Sequence, residues 1–336
     1  MGLIVVAVAG ALLVSGGHEA DPRTPEGLPG LPSPFLGVAV LGDGGLTAAV
    51  DAYGTVVDLR PQPAGRALIE NPADRQAAGT VEPDTGIQVW VRVWGGPGRP
   101  LWEADSIRQR YLPGTTVLRT FAQFGRTQVE ITQAARGREL AMTVDGAGAK
   151  LRIGADIDCT QEQRTGRVAL ICGGRDRTQF SPVCGDKCVR FARGLLGKTG
   201  GADRRWLARA RPLGAIAPAW ARRMYERSLL VLRALTGRNG AVAAGARDGW
   251  AYVWPRDASA AAIAFAAAGY RAESERIVQF MLGLGLEHAA RFNGDGSPAP
   301  GRPAQGDAIG WVAAASEAAG IGSAGQAAHI LAGGQP

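Results

Sequence analysis

The sequence predicts a β-then-α protein: an antiparallel sandwich followed by packed helices. Three observations carry this. The stretch GIQVWVRVW alternates strictly, with Ile87, Val89, Val91 and Val93 on one face and Gln88, Trp90, Arg92 and Trp94 on the other. Period two over that length indicates a sheet with one buried face. Beyond Gly214 the apolar period becomes that of helices, and amphipathic helices then alternate with helices that are apolar nearly all round.

Composition agrees with a globular chain. Of 336 residues 46% are hydrophobic and 20% charged, enough for a sizeable core and more than one domain. The formal charge is +7, which allows an anionic partner. The basic residues are scattered along the chain and form no nucleic-acid module, so a solvated basic surface and no nucleic-acid partner are expected.

Residues 1–17 hold a run of twelve apolar residues, Leu3 to Val14, followed by small ones. That length suits a signal-peptide core and is short for a membrane span, although no Lys or Arg precedes Arg23. A signal peptide or anchor is expected there, and with it an extracytoplasmic protein, secreted or membrane-tethered. Residues 18–34, rich in Pro and Gly, read as a leader.

Residues 35–192 carry the strand pattern. LTAAVDAYGTVVDL reads as two strands around a turn near Tyr53-Gly54, and TTVLRTFAQF, TQVEITQAA, ELAMTV, KLRIGADID and RVALIC continue the series. Short strands separated by turns predict a sandwich. Its tryptophans read as inter-domain or second-sheet contacts or as sugar-binding rings. Cys159, Cys172, Cys184 and Cys188 fall within thirty residues, with twelve, eleven and three residues between them. Those spacings match no common zinc pattern and no His is near, so two disulfides are expected, Cys159–Cys172 and Cys184–Cys188, with the pairing open.

Residues 193–214 are polar and basic, a linker with a helical part. Residues 215–336 are helical. PAWARRMYERSLLVLRAL places Trp220, Met224, Leu232 and Leu235 on one stripe. Asp257–Ala268 is Ala-rich and apolar nearly all round and is expected to be buried on all sides, RAESERIVQFMLGLGLEHA is amphipathic, and DAIGWVAAASEAA is again small and apolar. A double ring of helices needs this alternation. Asp257 and Asp307 each stand where an N-cap would stand. A cap, however, does not require the YVWPR that precedes Asp257. An Arg–Asp pair beside aromatics suits a sugar, because charged groups fork onto hydroxyls and a ring stacks on the pyranose.

YVWPRDASAAAIAFAAAGY, preceded by SLLVLRALTGRNGAVAA, resembles the first part of the catalytic domain of glycoside hydrolase family 15, the glucoamylase-like enzymes. LGDGGLTAAVDAYGTVVDL is similar to the first hairpin of the prokaryotic members, and FNGDGSPAPGRPAQGDAIGWV to the segment after their third barrel helix. The resemblance implies a β-sandwich followed by the first part of an (α/α)6 barrel. It also implies exo-acting, inverting hydrolysis at the non-reducing terminal glucose of an α-glucan, without cofactor or metal. By motif, Tyr252, Trp254, Arg256 and Asp257 line the sugar pocket, with Asp307 at an acidic position beside it. The family's general acid and base belong to later segments, and neither is matched by a residue here. The alternatives are a non-catalytic glucan-binding protein or an inactive fragment of such an enzyme. Trehalose and dextran-type glucans are rival substrates. His18, His288 and His329 fit no metal pattern, and FNGDGSP lacks calcium-loop spacing.

Overall fold

The computed structural model describes residues 38–70, 86–93, 96–155, 159–164, 166–173 and 187–322. The apolar start, the leader, Trp94, Cys184, His18 and His329 lie outside the described residues.

Thirteen strands are described: β1 Ala39–Leu41, β2 Thr47–Val50, β3 Val56–Arg60, β4 Ile69–Glu70, β5 Ile87–Val93, β6 Arg99–Pro100, β7 Ser106–Tyr111, β8 Leu118–Phe124, β9 Thr127–Arg136, β10 Glu139–Asp145, β11 Ala149–Ala155, β12 Thr160–Arg164 and β13 Arg167–Gly173. They form two antiparallel sheets. The first runs β1-β2-β3-β5-β11, with β4 on β3 and β6 on β5; the second runs β12-β13-β10-β9-β8-β7. The chain leaves the second sheet after β10, enters the first as β11 and returns as β12. That crossing stacks the sheets over one apolar core, in which Leu41, Leu59, Ile87 and Val91 meet Ile131, Leu140, Met142 and Leu170. Period two places these residues on the inner faces. A disulfide joins Cys159 to Cys172. Cys188 is also disulfide-bonded.

The outer faces of both sheets are apolar too, and helices cover them. Helix α1, Cys188–Leu207, lays Cys188, Val189, Ala192 and Leu195 on Ala141, Ala169 and Ile171 of the second sheet. The stretch 193–214, expected to be a linker with a helical part, holds the part of this helix that runs to Leu207, and its Leu195 is buried against the sheet. Helices α2 Ala219–Leu235, α3 Pro255–Ala267, α4 Arg271–Leu282 and α5 Ala308–Ala319 follow. Their core reaches Ala49 and Val57 on the outer face of the first sheet. Among the described residues no helix is long and apolar enough to cross a membrane.

Two expectations about the helices need correction. On α2 the buried residues are Leu229, Leu230, Ala234 and Leu235, whereas Trp220 is 61% exposed and Met224 55%. The stripe is covered only in the C-terminal half of α2, where α1 and the sheet lie beneath it. Helix α3 is not enclosed on every side: Ala258, Ala261, Ala262 and Phe265 are buried, but Ala260, Ile263 and Ala264 are only half-buried. Among the described residues, helix α3 packs against α4 and α5, and these two neighbours leave one flank open.

One buried carboxylate joins the layers. Asp203 of α1 is fully buried. Its Oδ2 accepts hydrogen bonds from the Thr116 amide and hydroxyl at 2.7 and 2.8 Å, and its Oδ1 accepts one from Arg233 of α2 at 2.9 Å. Three elements distant in sequence thus meet at one side chain. Next to it, Trp206 stacks on Tyr270 with ring centroids 4.1 Å apart, and the Tyr270 hydroxyl donates to the Trp206 carbonyl at 2.8 Å. Removing one partner of a buried ion pair leaves the other charge uncompensated. Asp203→Ala is expected to lower the unfolding free energy by roughly 3–5 kcal/mol. Urea denaturation followed by tryptophan fluorescence measures this.

Candidate functional site

Tyr252 and Trp254 flank Val253, which is fully buried and exchanges both backbone hydrogen bonds with Phe292 at 2.8 Å. Further single bridges, Thr236 to Val242, Ala243 to Val253 and Phe292 to Pro298, extend this small sheet. With Val253 turned inward, period two puts Tyr252 and Trp254 on the opposite face. Gly240, at φ +94°, closes the turn after α2; a Cβ there would lie 2.1 Å from the Arg276 carbonyl, so only glycine lets this turn rest on α4.

Helix α3 then starts at Pro255, whose fixed φ and missing N–H suit the first helical position. Trp254 is the N-cap residue, so Asp257 is the third helical residue and not the cap expected from the sequence. The Pro moves the helix start three residues upstream of that expectation. At this place Asp257 adds a negative charge to the positive end of the helix dipole. Burial raises its carboxyl pKa above the ordinary value, and the neighbouring Arg256 opposes the rise.

Asp307 does occupy the N-cap position of α5, but its side chain makes no cap bond. Its Oδ2 instead accepts a hydrogen bond from Arg256 Nη1 at 2.8 Å. This pair brings together residues 51 positions apart. It also shows that α3 and α5 begin at the same end, with α4 returning between them. Four of the five candidate residues lie in or directly before the first turn of α3, and the fifth reaches them across helices.

Three residues that the sequence did not single out complete the cluster. Arg291 lies over the Tyr252 ring at 4.4 Å and donates from Nη2 to the Pro300 carbonyl at 2.8 Å. Arg302 lies over the Trp254 ring at 5.4 Å. Trp250 sits 6.2 Å from Trp254 and is 57% exposed. Arg291 and Arg302 therefore cover the Tyr252 and Trp254 rings, and Trp250 presents the open aromatic surface. Trp254 is buried, and its Nε1–H has no acceptor. Nothing in the spacing of Arg291 and Arg302 marks them. Trp250 lies only two residues before Tyr252 and could have been included.

Among the solved structures, the fold matches a crystal structure of a bacterial glucoamylase complexed with acarbose, with a TM-score of 0.60 over 91% of this chain. The chain has a glucoamylase-like fold. Sequence identity is 10%, and the match spans 57% of the glucoamylase chain. No family model and no curated protein matches the sequence.

In this glucoamylase-like fold the sandwich braces the segment that carries the cluster. The Gly294 amide donates to the Ala64 carbonyl at 2.8 Å, and Asn239 donates to the Gly294 carbonyl at 2.7 Å. Asp51, in the turn after β2, faces Arg247 just before the cluster. Its Oδ1 accepts the Tyr53 and Thr55 amides, both at 2.9 Å. Burial nevertheless pushes its pKa up to about 6. Among the described residues no group of three or more acidic, His or Cys side chains could hold a metal.

The Asp51 shift predicts a pH effect with a definite sign. The folded value of about 6 lies above the ordinary aspartate value, so between these values the folded state binds the extra proton. Stability from this group is fully present below pH ~4 and is lost as the pH rises through 6, by about 3 kcal/mol. Asp51→Asn keeps both accepted bonds and removes the titration. The difference in unfolding free energy between wild type and variant should therefore shift in favour of wild type from pH 7 to pH 4.

Proposed function

We propose that the cluster at the start of α3 is the innermost sugar subsite of a glucoamylase-like glycoside hydrolase, and that α2 to α5 are the first part of an (α/α)6 barrel. The observation that carries this reading is the Arg256–Asp307 pair beside the unsatisfied Trp254 Nε1–H, on a chain whose fold resembles that of a glucoamylase seen with acarbose. Arg256 is half-exposed, so its remaining N–H groups can donate to vicinal hydroxyls while Asp307 holds the guanidinium in place. Asp257 accepts from a sugar hydroxyl. The indole N–H of Trp254 gains an acceptor when a hydroxyl enters, and Trp250 offers its ring to the apolar face of the pyranose. The parallel starts of α3 and α5 suit an inner ring whose helix mouths gather around one pocket.

The proposed substrate is the non-reducing terminal glucose of an α-glucan, with membership of glycoside hydrolase family 15. Inversion needs a general acid and a general base roughly 6.5–9.5 Å apart with a water between them. Binding and orientation are the roles assigned to Tyr252, Trp254, Arg256, Asp257 and Asp307; neither proton-transfer role is given to them. Export is proposed from the apolar start of the sequence and the disulfides. A sandwich over residues 35–192, a connection over 193–214 and a helical domain from 215 remain the proposed division.

Titration calorimetry of the full chain with acarbose and maltooligosaccharides tests the site. Binding is expected, and Arg256→Met and Asp257→Asn should each weaken it at least tenfold, about 1.4 kcal/mol. Unchanged affinity in both variants, with unchanged melting temperature, would overturn the assignment. A second reading is glucan binding without turnover, since the roles assigned to these five residues are binding and orientation alone. Glucose release from maltooligosaccharides decides against it.

A further inference from the structure

A second cleft lies away from this cluster, where the β9–β10 turn, one face of α1 and the turn after α2 meet. It encloses about 860 Å³. Six cationic side chains line it: Arg136 and Arg138 from the strand turn, Lys187, Arg190 and Lys198 along α1, and Arg238 from the far turn. Only Asp43 and Glu139 oppose them, and the Asp43 carboxylate already accepts the Gly137 amide at 2.9 Å. Among the described residues no ion pair engages Arg136, Lys187, Arg190, Lys198 or Arg238. Arg136 Nη1 is buried and has no hydrogen-bond partner. Like charges gathered at this density repel one another, and a buried guanidinium N–H without an acceptor is costly. An anionic ligand relieves both.

The geometry of α1 narrows the ligand. Residues 190, 194 and 198 form one row along the helix, and 187, 191 and 195 the adjacent row. Arg190 and Lys198 are two turns apart, about 12 Å at the helical rise, too far for one small oxyanion. Gly194 stands between them, and a Cβ there would meet no atom within 4 Å. The missing side chain leaves a saddle in the row of cations, open down to the helix backbone. Phe191, 40% exposed, stands in the neighbouring row and offers a ring face. Separated cations, an open saddle and an exposed ring suit a chain of sugar rings that carries repeated anionic groups.

We propose that this cleft binds an acidic oligosaccharide, whose carboxylate or sulfate groups pair with Arg190, Lys198 and Arg136 while one ring packs on Phe191 over Gly194. This site does not rest on the neutral-sugar pocket at Trp254.

The test titrates the full chain, at low and at moderate salt, with an oligogalacturonate, a sulfated oligosaccharide, a neutral maltooligosaccharide and a single-stranded DNA of matched charge. Two variants remove the site differently. Arg190→Glu with Lys198→Glu reverses its charge. Gly194→Leu fills the saddle in open space and replaces a poor helix former with a good one, so the fold is retained. Arg222→Glu with Arg223→Glu makes the same charge change on exposed α2. At least one acidic oligosaccharide should bind, weaken with salt, and lose tenfold or more in affinity in both cleft variants and not in the α2 control. The proposal is overturned by no binding of either acidic oligosaccharide, by equal loss in the α2 control, by unchanged binding in Gly194→Leu, or by DNA binding as tightly with the same variant pattern.

Discussion

The buried carboxylate of Asp203 is the interaction on which the arrangement of sheets and helices depends. It faces Thr116 in the connection between β7 and β8, and Arg233 near the end of α2. Its cost is high, since a charge taken out of water is repaid only when its hydrogen bonds are complete. Completion requires the sandwich, α1 and α2 to be in place together. The Trp206–Tyr270 stack extends the joint to the residue at which α4 starts. A sandwich and a set of helices that could otherwise pack independently are thereby held in one relation.

That relation places the cluster at the start of α3. The outer face of the first sheet, through Ala49 and Val57, supports the helical core, and loop contacts at Ala64 and Asp51 support the strand that carries Tyr252 and Trp254. Small residues on α3 let α4 and α5 approach closely, which brings Asp307 to Arg256. The chemistry at the mouth of α3 thus follows from packing well below it.

Much of this fold is legible in the sequence. Strict alternation marks β5, the Tyr53-Gly54 turn separates β2 from β3, and the Ala-rich periods mark α3 and α5. The grouping of Tyr252, Trp254, Arg256 and Asp257 at the start of α3 was legible because these residues are neighbours in one short run. Residues whose role comes from distant partners were not. Arg291 and Arg302 carry no local pattern, and Asp203 reads as one more charge in a polar stretch. Trp220 and Met224 show the opposite failure: their spacing is right for burial, but a stripe is buried only where another element covers it.

By itself the sequence determined the order of β and α parts, the periods of their elements, and a cluster of Pro, Arg, Asp and aromatics at the start of one apolar helix, because these depend on neighbours along the chain. Only the tertiary structure decided that Asp307 meets Arg256 instead of capping its own helix, and that Asp257 lies inside the first turn of α3. The cleft beside α1 belongs to the same category. Its basic residues lie scattered from Arg136 to Arg238 in sequence, and their common field exists only once the β9–β10 turn, α1 and the turn after α2 are folded against one another. Charge acts through space over several ångströms. A reading along the chain cannot add contributions that folding alone brings within that range.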